Sequence, residues 1–399
     1  MTKKLFAKNR SLWGAFTVTA ITCMGQNFHH PVTPTLFTEM SMPSRIFGNS
    51  FAIMCFTLFL SSPLWGELCN RLGRMKVYLV GCIFYGLAQY WLSQSTAEMQ
   101  VLLARAMAGF FTGAISIGNM LYIVDISKED DKAQNMVFYT ALSTVSSAIG
   151  YLIGGLIGVY SYRFAIGLQA YWMITLGVVA YLWQEESYTH LKKESWQSLV
   201  KEANPFRAFL NAGKLLNRHT ILFFGVVLFT GIAGSCYDNA FNYFLKDQLG
   251  FHSGYNGVIK AVIGILSLIA NYTITSRLMR RGRLDRNLTF TLVLCALTAA
   301  LALVHLGAVL FLAGNFIFYI FNSVYQQLMR ALSLVGRHGE EAGILSGLYS
   351  AVNAMGNVGG ALIAGGIYAI NVWYPFICGV VAFGISAFFC YSFSKGAKS

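Results

Sequence analysis

Residues 66–76 read Gly66-Glu67-Leu68-Cys69-Asn70-Arg71-Leu72-Gly73-Arg74-Met75-Lys76, a short polar and basic turn between two long apolar runs. The runs on either side, 47–65 and 77–94, each have close to the length of about 20 residues that a helix needs to cross a bilayer. The alternation continues in both directions. Further apolar runs lie at 12–36, 100–124, 135–159, 163–183, 220–245, 255–276, 288–306, 308–329, 342–368 and 372–394, which predicts twelve transmembrane helices. Composition agrees: the 399 residues are 56% hydrophobic and only 11% charged, where soluble domains carry about a quarter. Barrel strands are excluded, because these runs are too long and do not alternate polar with apolar.

The longest hydrophilic stretch, with Lys192, Lys193, Glu194 and Lys201, follows the sixth run. It divides the chain into an N-terminal bundle at 1–183, a central loop at 184–219 and a C-terminal bundle at 220–399. Seven of the eight cysteines (Cys23, Cys55, Cys82, Cys236, Cys295, Cys378 and Cys390) lie in apolar runs, and no CxxC spacing occurs, so they read as small core residues. The first run is too long for a signal-peptide core and reads as a retained helix.

A net charge of +13 would suggest nucleic acid in a soluble protein; here its placement decides otherwise. Of 29 Lys and Arg residues, 24 fall in segments on the side of the N-terminus, three (Arg45, Arg163, Lys246) on the other side, and two (Arg105, Lys260) within helices. By the positive-inside rule both termini are cytoplasmic, and the basic residues flank helices instead of forming a nucleic-acid face. The halves echo one another. The Arg71–Lys76 turn is matched by Arg277, Arg280, Arg281, Gly282, Arg283 and Arg286, and Gly150-xxx-Gly154-Gly155 is matched by Gly356-xxx-Gly360. Parallel repeats of this kind are a transporter architecture with its substrate site at mid-membrane.

The segment Gly66–Lys76 resembles the loop signature G-x-L-a-D-R-x-G-R-R/K between the second and third helices of the major facilitator superfamily. The family's aspartate is Asn70 here, which caps a helix but carries no charge; Asp125, at the inner end of the fourth span, offers a carboxylate nearby and is a further proton-coupling candidate. Arg105-Ala106-Met107-Ala108-Gly109 resembles the family's R-x-x-x-G motif, whose arginine is linked to proton coupling. Gly25, Pro31 and Pro34 resemble the G-x5-P-v-x-P motif of the first helix of twelve-helix drug:proton antiporters. Gly150, Gly154 and Gly155 resemble that branch's fifth-helix motif, with Tyr151 in place of its proline. The resemblance implies an all-α membrane protein with two pseudo-symmetric six-helix bundles, the major facilitator fold. It also places the first, fourth, seventh and tenth helices at the cavity.

Charges inside spans are costly and mark function. Three lie deep: Arg105, Asp238 and Lys260, each about 9–12 Å inside a helix end at 1.5 Å per residue. Asp238 is the deep carboxylate. It reads either as a proton carrier or as the ion-pair partner of Lys260 on the next span. Arg105 stays charged, so it tunes neighbours, binds an anion, or clamps first-helix backbone released by Pro31 and Pro34. His29 and His30 are further proton-site candidates; two histidines without a third ligand do not make a metal site. Gln26, Asn27, Tyr237, Asn239, Asn242 and Lys260 are candidate cavity residues. So are Asn315, Tyr319, Asn322 and Gln326, which recur at i, i+4, i+7 and i+11 on one face.

No Walker loop, dinucleotide fingerprint, HExxH or nucleophile elbow occurs, so no cofactor, ATP-driven step or enzymatic activity is implied. The expectation is a monomeric, multi-pass cell-membrane transporter, most simply a proton-coupled exporter of small organic molecules. The alternative is a carrier of an anionic metabolite using Lys260 and Arg105. A transport-inactive receptor is suggested by Asn70 alone.

Overall fold

The structure, a computed structural model, describes residues 2–188, 198–199, 202–206, 217–280, 282–301, 303–304, 307–334 and 339–396. Most of the expected central loop, including Lys192, Lys193, Glu194 and Lys201, lies outside the described residues. Within them all regular structure is helical. The thirteen α-helices are α1 (Thr2–Gln26), α2 (Thr33–Glu39), α3 (Arg45–Leu72), α4 (Arg74–Gln94), α5 (Glu98–Ile126), α6 (Lys132–Tyr160), α7 (Tyr162–Trp183), α8 (Arg218–Asp247), α9 (Ser253–Arg280, with a π-helical turn at Asn271–Thr275), α10 (Leu284–Leu301), α11 (Ala308–Leu334), α12 (Gly339–Tyr368) and α13 (Tyr374–Gly396). Among the described residues nine of these (α3, α5–α11 and α13) are long and apolar enough to cross a membrane.

The first expected span is divided. Helix α1 stops at Gln26, residues 27–32 form turns, and α2 begins at Thr33 with Pro34 in its first turn. Pro31 has no N–H to continue the ladder and disfavours helical geometry at His30 before it. Where the ladder fails, backbone carbonyls need other donors, because the hydrocarbon of a membrane supplies none.

The helices fall into two compact units. The first comprises residues 1–40, 56–205 and 251–264; the second comprises 41–55, 206–250 and 265–399. Helices α3 and α9 therefore each contribute one segment to each unit. In the first unit α4 packs along α5 and α7, and glycines allow the closest approaches. A Cβ on Gly154 would fall on the backbone of Phe28, and one on Gly155 would come within 2.6 Å of the Ser253 carbonyl. Gly150 meets the Met24 backbone in the same way. In the second unit α8 packs along α12 and α13; a Cβ on Gly356 would lie 2.6 Å from the Leu228 carbonyl, and Gly365 lies against Gly48. All eight cysteines are free.

These contacts separate packing glycines from permissive ones. Gly154→Ala is expected to lower thermal stability by about 1–3 kcal/mol, the usual cost of overpacking. Gly66→Ala is expected to change it by less than about 0.5 kcal/mol, since a Cβ there meets nothing within 4 Å. Melting of the two purified variants beside the parent protein checks both.

Candidate functional site

The break between α1 and α2 is surrounded by side chains from α4, α5 and α7. On α7, Gln169 is fully buried; its Nε2 donates to the Gly25 carbonyl at 2.7 Å and lies 3.1 Å from both Tyr85 Oη and His29 Nδ1. On α4, Tyr85 donates to the Gln26 carbonyl at 3.3 Å. On α5, Arg105 Nη2 donates to Thr33 Oγ1 at 2.9 Å, and Thr33 in turn donates to the His29 carbonyl at 2.7 Å. Arg105 thus reaches the broken helix through the Thr33 hydroxyl. Pro31 and Pro34 are both buried at the break.

His29 is 1% exposed inside this network, and the His30 ring lies 4.1 Å from it and 5.3 Å from Tyr151. Of the adjacent amides, Asn27 Nδ2 bonds Ser147 Oγ at 3.0 Å, while Gln26 Nε2 has no partner among the described residues. Lys260 is buried in the first unit, on α9. It lies three residues after Gly257 and four before Gly264, the glycines that meet α6 at Tyr151, Gly155 and Ala148.

The Gly66–Lys76 segment builds a second polar cluster. Gly66 lies inside α3, and the chain reverses at Gly73, whose φ of 100° favours glycine. Arg74 is buried; its Nε contacts Asp125 Oδ2 at 2.9 Å and its Nη1 donates to Asn70 Oδ1 at 2.8 Å. Asp125, from the end of α5, therefore supplies the carboxylate that Asn70 does not. Glu186 accepts from the backbone N–H groups of Arg74 (2.8 Å) and Met75 (3.1 Å), the first turn of α4, where the helix dipole favours an anion. A Cβ at Gly73 would collide with the Glu186 side chain, a second reason for glycine there. Tyr188 lies beneath the Arg74 guanidinium at 4.2 Å, and Arg71 donates to Ser198 at 2.9 Å.

In the second unit Asp238 is half-buried on α8 and accepts a hydrogen bond from Tyr319 Oη of α11 at 2.6 Å. The neighbouring positions diverge. Tyr237 and Asn315 are both fully buried and bonded to each other at 3.0 Å, and Tyr237 packs against Phe318 and Phe376. They hold α8 to α11. Asn239 turns back onto the Ser235 carbonyl at 2.8 Å. Asn242, Asn322 and Gln326 are half-buried, so the stripe of α11 runs from a sealed end at Asn315 to a more open one at Gln326.

Gln169, Tyr85, Gln89, Thr33 and Glu186 stand out from the structure and not from the sequence patterns. The two glutamines carried a legible signal, since each is a carboxamide inside an otherwise apolar run. They lie on the third and sixth spans, away from those the family resemblance places at the cavity.

Many apolar helices crossing at glycines, with buried charge on broken or polar-faced spans, describe a polytopic membrane carrier. The family profile described as Major Facilitator Superfamily matches residues 15–361, and the chain belongs to that superfamily. It is 23% identical over 352 residues to "Multidrug resistance protein 2" of Bacillus subtilis (strain 168), covering 87% of this chain and 86% of that one. It is 22% identical over 357 residues to "Quinolone resistance protein NorA" of Staphylococcus aureus (strain MSSA476), covering 89% and 88%. The fold is similar to that of the nucleoside transporter NupG, with a TM-score of 0.76 at 14% identity over 97% of this chain and 99% of that one. The protein is a multi-pass membrane transporter and not an enzyme.

Removing the carboxylate of Asp125 strands a buried guanidinium. Asp125→Ala is expected to cost about 3 kcal/mol, and Glu186→Gln, which keeps an acceptor at the helix start, about 1 kcal/mol or less. Thermal melts that rank the two in the opposite order would assign the anchoring of this turn to Glu186.

Proposed function

We propose that the protein is a secondary active exporter of small organic molecules, driven by protons and working by alternating access in the cell membrane with both termini cytoplasmic. The observation that carries this reading is Asp238, a half-buried carboxylate within α8 that accepts a 2.6 Å hydrogen bond from Tyr319. A proton carrier must be stable both charged and neutral. The Tyr319 hydroxyl gives the charged carboxylate a hydrogen-bond donor at 2.6 Å. The polar residues running on from Tyr319 to Asn322 and Gln326 give an organic cargo hydrogen-bonding partners on the same helix. Arg105 and the buried His29 tune the first unit and are secondary to Asp238 in coupling. The names of the multidrug and quinolone resistance relatives favour efflux over uptake.

A second reading, transport of an anionic metabolite, is favoured by one observation. Arg105 and Lys260 are both buried within the first unit.

The test is transport of a dye of either charge, ethidium or fluorescein, in proteoliposomes under an imposed pH gradient. Gradient-driven accumulation is expected for the parent protein, with a loss of about tenfold or more in Asp238→Asn. Transport indifferent to the gradient would sink proton coupling, and full coupling in the variant would remove Asp238 from the role.

A further inference from the structure

The network around the broken helix leaves Arg105 incompletely satisfied. The residue is 4% exposed, and its Nη2 bonds Thr33, but Nε and Nη1 have no hydrogen-bond partner among the described residues. Gln26 Nε2 and Gln169 Oε1 have none either, and Gln89 has no partner other than the Tyr85 hydroxyl beside it. Gln89 and Gln169 are both fully buried.

These groups lie together. Gly81 meets Ala114 and Ile115, Gly118 meets Arg74 and Tyr78, and Phe84 stacks on Phe111 at 4.8 Å, which fixes α4 antiparallel to α5. Carried one turn further, that register sets Gln89 level with Arg105. Tyr85, one turn before Gln89, bonds the Gln26 carbonyl and is the electrostatic neighbour of Arg105.

Unmet buried donors on a guanidinium cost several kcal/mol in an apolar medium and persist where function requires them. The character of the site follows from its groups. Arginine remains charged in proteins. The titratable groups facing it are Tyr85 and His29, neither of them anionic at neutral pH, and no carboxylate lies within ion-pair distance of Arg105 among the described residues. The site has a surplus of positive charge, open N–H donors on both edges of the guanidinium, and carboxamides alongside it. Such an arrangement matches a planar oxyanion, which takes two N–H groups of an arginine and a further amide donor.

We infer that Arg105, with Gln89 and Gln26, binds the anionic group of a small organic substrate, a carboxylate or similar oxyanion. This rests on the reading of the protein as a carrier of small organic molecules and narrows the class of cargo. It concerns binding alone and does not depend on proton coupling.

The test compares two dyes that share a xanthene ring, anionic fluorescein and cationic rhodamine 6G. Both are titrated by fluorescence anisotropy into the full-length protein in lipid nanodiscs at constant neutral pH. The parent protein is expected to bind fluorescein about tenfold more tightly than rhodamine 6G or better. Arg105→Gln is expected to lose about tenfold or more for fluorescein and to stay within about twofold for rhodamine 6G. Gln89→Glu serves where Arg105→Gln does not fold. Its carboxylate occupies the open donors from within, so melting temperature holds or rises while fluorescein affinity falls about tenfold. A parent protein with no preference for fluorescein overturns the inference. So does a folded Gln89→Glu protein that loses less than about threefold for fluorescein. Failure of these titrations leaves gradient-driven transport of either dye as an independent result, and the converse also holds.

Discussion

The interruption of the first helix between Gln26 and Thr33 is the constraint around which the first unit is arranged. A membrane interior offers a backbone carbonyl no water, so a carbonyl left without its helical N–H partner at the break needs a donor from the protein. Gln169 serves Gly25 and Tyr85 serves Gln26, while the Thr33 hydroxyl, held by Arg105, adds to the Thr33 N–H already on the His29 carbonyl. Three separate helices thus place polar side chains where apolar ones would otherwise face α1. The close approach they need is met by Gly150 and Gly154 of α6, which lie directly on the backbone at Met24 and Phe28. Breaking one helix has therefore set the residue types on four others.

That arrangement explains why a charged residue is tolerated so deep. An isolated arginine in hydrocarbon is expensive, but one that secures a broken helix repays part of the cost in backbone hydrogen bonds. The repayment is incomplete, because Thr33 uses one nitrogen of three. The contrast with Arg74 is instructive. It is equally buried, yet Asp125, Asn70 and the Tyr188 ring surround it, and the result is a structural anchor. Two buried arginines in one unit thus have different chemical consequences, decided by whether a carboxylate stands beside them.

Much of this was legible in the chain. Hydropathy and charge bias indicate the helical membrane class, and the place of Asp125 at a helix end near the Gly66–Lys76 turn is visible in the sequence, whereas its contact with Arg74 comes from the fold. Hydropathy makes the first span continuous, since it is blind to a missing N–H; the two prolines are the visible sign of the break. Tyr237 and Asn315 fell on a polar pattern that fits a cavity wall and a helix-to-helix hydrogen bond equally well, and side-chain direction alone separates the two. Gln89 and Gln169 were passed over because one polar residue in an apolar run has no periodicity to reveal it. Their partners lie 144 residues apart in the case of Gln169 and Gly25, a proximity that only the fold creates.

The account turns on the dependence of Gln169 on the break it satisfies, and a double-mutant cycle in thermal stability measures that dependence directly. Gln169→Leu removes the donor, Pro31→Ala lets the helix continue so that the His29 N–H can reach the Gly25 carbonyl, and the double variant closes the cycle. A coupling energy of about 1 kcal/mol or more, with Gln169→Leu costing much less once Pro31 is replaced, is the predicted result. Strict additivity, within about 0.3 kcal/mol, would contradict it and would reduce Gln169 to a buried amide with no part in holding the helix open.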